Sequence, residues 1–128
     1  MTRPLALLPG RYAVCRLAAD AAIPAWASAP RASLLSVTRT DDELSIVCDE
    51  SMVPVGFARI EPGWRAIRIR GTIPFGELGV VAGVTAPLAA AGVSVFVIST
   101  FDTDYLLVPA GHLEVASAAL NAAGFEVN

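Results

Sequence analysis

The chain has 128 residues, 55% hydrophobic and 16% charged, with a net charge of -3 at pH 7. This is one domain's worth of chain, apolar enough to bury a core, so disorder is excluded. All nine basic residues are arginines, which excludes a Walker lysine, a Schiff base and a lysine general base, and no basic run offers a footprint for nucleic acid.

In chain order, the N-terminus has an apolar run only from Leu5 to Leu8, too short for the core of a signal peptide. Tyr12 to Leu17 reads as a strand. Ala21 to Ala27 reads as a short helix. Ser36 to Val47 reads as a hairpin, with the acidic cluster Asp41, Asp42 and Glu43 in its tight turn. Glu50 to Val53 makes at most a turn, and Val55 to Ala58 reads as a last short strand. Cys15 and Cys48 sit in apolar strand sequence, as buried free thiols or, alternatively, as a disulfide. With one histidine and no Cys-x-x-Cys, no metal site is expected.

The second half is clearer. Trp64 to Arg70 alternates apolar residues with arginines, the pattern of a half-buried strand. Glu77 to Ala91 spaces Leu78, Val81, Thr85 and Leu88 as a helix does, with Pro87 as a blemish and Gly92 as its stop. Val93 to Thr100 is a β-branched strand. Tyr105 to Val108 is its hairpin partner. His112 to Ala123 is an Ala-rich helix and Phe125 to Val127 a final strand. The uncharged stretch Leu78 to Phe101 could span a bilayer by length, but it divides into a buried helix and a buried strand, so no membrane span is expected. The order is β-α-β-β-α-β, the ferredoxin-like unit.

The first half repeats the second in weaker form. Ser36 to Val47 lies over Val97 to Val108 at an offset of 61 residues. The expected architecture is therefore α+β, with two tandem ferredoxin-like units, 1–61 and 62–128, packed as one body. A boundary at Glu61-Pro62-Gly63 is too short for a flexible linker.

Catalysis has little support. His112 starts a helix, and no nucleophile-elbow pattern accompanies Ser99 and Asp102. No catalytic residue and no cofactor are expected. The Gly-rich start of the first long helix, Gly76 to Val80, can present free N–H groups to an anion. The strand end Ser99 to Asp104 adds hydroxyls, an aromatic ring and carboxylates. Together these suit an amino acid, with N–H donors for its carboxylate and a carboxylate for a cation.

The runs Phe75 to Val81, Ala86 to Ala89 and Ile98 to Asp104 resemble the ACT-domain branch that includes the cytosolic arginine sensors, the CASTOR family, and the regulatory units of aspartate kinases. The resemblance is best over Trp64 to Gly111. It implies two ACT-type units and a non-catalytic, amino-acid-binding regulatory role. Residue by residue it implies a ligand loop at Gly76, Glu77, Leu78, Gly79 and Val80, a pocket-lining strand end at Thr100 and Phe101, and Asp104 facing a basic side chain such as that of arginine. Departures are Leu78, where the sensors carry a small residue, Asp102-Thr103, and two units where the sensors have four. A cytoplasmic homodimer is expected, with no nucleic-acid or membrane partner. The alternative is a ligand-free assembly module or regulatory subunit.

Overall fold

The computed structural model describes residues 4–28 and 31–128. The strands are β1 (Pro4–Leu7), β2 (Tyr12–Leu17), β3 (Ser36–Arg39), β4 (Leu44–Asp49), β5 (Ile60–Ile69), β6 (Phe96–Ser99), β7 (Asp104–Pro109) and β8 (Glu126–Val127). The helices are α1 (Val80–Ala90) and α2 (Leu113–Ala122). This is the expected α+β class, in ferredoxin-like units.

Two compact units divide the chain. The C-terminal unit comprises Arg65–Asn128 together with the N-terminal segment ending at Leu8. Its strands run in the order β8-β1-β5-β7-β6. Alternation puts Ile67 and Ile69 of β5 on one face, opposite Leu7 and Leu5 of antiparallel β1. With Leu106 and Val108 they meet Val84 and Leu88 of α1 and Ala116 and Leu120 of α2 in one buried cluster. Each such large aliphatic side chain stabilises the fold by about 1.5–3 kcal/mol. α1 starts at Gly79, whose φ of 75° is left-handed. It ends at Gly92, also at φ 75°, with the Gly92 and Val93 N–H groups donating to Ala89 and Leu88 carbonyls at 3.0 and 2.9 Å. That cap consumes Val93, so the strand begins only at Phe96.

The N-terminal unit is Pro9–Trp64, with strand order β3-β4-β2-β5. β2 pairs β4 without interruption, from Tyr12 opposite Asp49 to Leu17 opposite Leu44. Ala13, Cys15, Leu44, Ile46 and Cys48 form its buried face. Both cysteines are free and buried.

Several expectations need correction. The run at Leu5 is a strand, β1, inserted between β5 and β8, so Pro4–Leu7 belongs with the second half. The tandem division 1–61 and 62–128 gives way to one unit lying between β1 and the rest of the other. Glu61-Pro62-Gly63 is no boundary loop. It lies inside β5, where Gly63 at φ 79° accompanies a register shift against β2 between Tyr12 and Val14. Ala21 to Ala27 holds only the 3-10 turn Ala25–Ala27, because Pro24 restrains the residue before it to extended backbone. Val55 to Ala58 is a turn around Gly56, at φ 84°, and not a strand. Ile60 already supplies the pairing to β2, and Phe57 packs edge-on against Trp26, ring centres 5.6 Å apart. The repeat also shifts by one. Arg39 opposite Leu44 and Ser99 opposite Asp104 close equivalent four-residue loops, at an offset of 60. Among the described residues no helix is long and apolar enough to cross a membrane.

Candidate functional site

Two loops of the C-terminal unit build the site. The first leaves β5 and leads to α1. The Glu77 N–H donates to the Pro74 carbonyl at 3.0 Å, a turn that stops the helix from starting at Glu77. The first helical bond runs from Gly83 N–H to Gly79 O, 2.9 Å. The N–H groups of Val80, Val81 and Ala82 therefore have no intrahelical acceptor and carry the positive end of the helix dipole.

The second loop joins β6 to β7. The Thr100 N–H donates to the Thr103 carbonyl at 2.9 Å, and the Thr100 hydroxyl donates to the same oxygen at 3.0 Å. Thr103 is buried, and its hydroxyl donates to the Ile69 carbonyl at 2.6 Å, which ties the loop to the end of β5. The Ile73 N–H donates to the Asp102 carbonyl at 2.7 Å and ties the two loops together. The Ser99 hydroxyl donates to an Asp104 carboxylate oxygen at 2.5 Å, fixing that side chain's orientation.

Between the loops lies an open cleft of about 380 Å³, lined by residues 73–75, 77, 79–82 and 99–104. Its charged residues are Glu77, Asp102 and Asp104, all acidic. Asp102 and Asp104 belong to the β6–β7 side, and Glu77 lies on the other side with the start of α1. Such a cleft can hold an anionic group at the helix N-terminus and a cationic group against the carboxylates. Phe75 and Phe101 meet edge-on at its rim, ring centres 5.0 Å apart, and both remain 77% exposed.

Of the predicted site residues, Glu77, Gly79, Val80, Thr100, Phe101 and Asp104 line the cleft. Gly76 and Leu78 do not, and Leu78 is 91% exposed. The prediction left out Phe75, Ser99, Asp102 and Thr103, all of which line the cleft. The run of hydroxyls, aromatic ring and carboxylates through Ser99–Asp104 carries the signal for the last three, whereas Phe75 has none of its own. His112 ends the 3-10 turn Ala110–His112 and lies outside the cleft.

The sequence model of the ACT domain matches residues 59–122. A second model, describing an N-terminal domain, matches residues 10–56. The cytosolic arginine sensor for mTORC1 subunit 1 of Homo sapiens is 51% identical over 47 residues, which are 36% of this chain and 14% of that protein. The match thus spans about one seventh of that relative's length. A solved protein from Agrobacterium tumefaciens is 42% identical with a TM-score of 0.91, covering 100% of this chain and 93% of that one. The regulatory subunit of aspartate kinase from Thermus thermophilus, in its ligand-free form, shares the fold at 12% identity and a TM-score of 0.62, over 97% of this chain and 99% of that one.

Proposed function

The chain belongs to the ACT-domain family, and on that premise we propose that it is a non-catalytic regulatory module that binds an amino acid in the cleft between α1 and the β6–β7 loop. The observation that carries the reading is the pairing of two opposite walls. The start of α1 suits the ligand's carboxylate, and Asp102 and Asp104 suit a cationic side chain. A basic amino acid, arginine among them, satisfies both walls at once. The similarity to a protein named as an arginine sensor points the same way. That relative is also named as cytosolic, which supports a cytoplasmic setting. Among the described residues β3 and β6 each have one strand neighbour. Such open edges support a homodimer formed by two-fold strand pairing. Ligand binding would act by population shift, favouring the arrangement in which the cleft is filled.

Calorimetric titration with arginine, lysine and glutamate tests the reading. A basic amino acid is expected to bind, and Asp104→Ala is expected to weaken it by about 10–100-fold, the loss of one charge-assisted hydrogen bond. Equal affinities in the parent and Asp104→Ala would place the ligand elsewhere. A second reading, an assembly module without a ligand, is favoured by the exposed Phe75 and Phe101 at the rim and the exposed Leu78. It predicts a complex indifferent to every amino acid.

A further inference from the structure

The N-terminal unit repeats the hairpin that frames the cleft, and the chemistry beside that hairpin is inverted. The two hairpins correspond in detail. The Thr40 N–H donates to Glu43 O at 2.9 Å as Thr100 donates to Thr103. The hydroxyls of Thr40 and Thr100 each accept a bond from the N–H of the residue three positions on, at 3.2 and 3.4 Å. β4 and β7 then each run into a 3-10 turn, Glu50–Met52 and Ala110–His112. β4 lies beside β2 as β7 lies beside β5. By this register Arg39 stands where the cleft has Ser99.

The segment leaving β2 differs from the one leaving β5. It starts no α-helix, so it presents carbonyl oxygens where α1 presents N–H groups. The Arg39 guanidinium meets them. One of its nitrogens donates to the Ala19 carbonyl and another to the Ala21 carbonyl, the latter at 2.8 Å. Two prongs of one planar group thus span the gap between the end of β3 and the loop after β2.

We propose that this gap is a guanidinium site whose resident occupant is Arg39, so that the N-terminal unit closes the space beside its β3–β4 hairpin with its own side chain. The ligand class is a monoalkylguanidinium, recognised by paired backbone carbonyls. The assignment stands apart from the amino-acid reading of the C-terminal cleft.

Chemical rescue tests it. Arg39→Ala is expected to lower the melting temperature by about 4 °C, on the scale of one lost kcal/mol in a chain of this size. Millimolar ethylguanidinium, the group removed, is expected to restore most of that loss and to shift backbone amide resonances at residues 18–21 and 38–43. Propylammonium is expected to do neither, and the parent protein is expected not to respond at those residues. Absence of rescue together with absence of those shifts would overturn the proposal. Should Arg39→Ala not fold, the parent protein decides. Hindered rotation and separate signals for the Arg39 Nη groups are expected by nitrogen-detected spectroscopy, and a freely rotating, averaged guanidinium would refute the site. Failure here leaves binding in the Asp104 cleft untouched, because that is read by titration of a different unit.

Discussion

Thr103 shows how a single hydroxyl holds the cleft in shape. It is buried at 7% exposure, and its one strong bond reaches the Ile69 carbonyl at the end of β5. Thr103→Val keeps the volume and leaves that carbonyl unpaired, so a loss of about 1–3 kcal/mol is expected in a denaturant titration. A change below a few tenths would mean that the carbonyl finds another donor. The cysteines give a pH prediction. Burial pushes the Cys48 thiol up to about 11, aided by the neighbouring Cys15 and Asp49, and burial also raises Cys15. A thiol whose folded pKa is raised holds its proton more tightly in the native state. The stability it confers is complete below the unfolded value near 9.0 and is lost as pH rises through about 11. Melting temperature is therefore expected to fall across that window, and Cys48→Ala is expected to flatten the fall. Both thiols should resist a thiol reagent at neutral pH until the protein unfolds.

At the scale of elements, the start of α1 matters most. Gly79 holds φ at 75° with open space where a Cβ would sit. The cost of Gly79→Ala is therefore backbone strain alone, about 1–2 kcal/mol, without a clash. The same substitution is expected to weaken ligand binding, because the N–H groups of residues 80–82 take their direction from that bend. The element order of the second half was legible because glycines and prolines punctuate it. Gly71, Gly92 and Gly124 all stand at ends of elements with positive φ. The first half was less legible for a physical reason. Its strands β2, β3 and β4 carry clear alternation, but Pro24 removes the helix and Gly56 turns the segment that reads as a strand. β1 was missed because Leu5 to Leu7 has no period of its own. Only pairing with Ile67 and Ile69 makes it a strand.

For the whole molecule, the sequence resembled paired ACT-type units, and the family match and the fold agree. What the sequence did not disclose was the order of assembly. One unit lies in sequence between β1 and the remainder of the other, a consequence of long-range strand pairing that no local pattern encodes. The candidate cleft was legible in its two halves, Gly79–Val80 and the run Ser99–Asp104, because each half has its own chemistry. Phe75 was not singled out because its ring contact depends on a residue of the other loop, Phe101. Core packing follows the same logic. Leu120 is fully buried beside Leu5 and Leu106, and Leu120→Ala is expected to cost about 2–5 kcal/mol.

The central claim is that the cleft takes a basic amino acid, and a thermal-shift screen of the purified protein against the twenty amino acids tests it most directly. With free ligand at 100 times its Kd, binding adds about 2.7 kcal/mol, which is several degrees in a domain of this size. The account predicts a rise with a basic amino acid, abolished in Asp104→Ala and retained in Arg39→Ala. No rise with any amino acid, in protein shown to be folded, would contradict it.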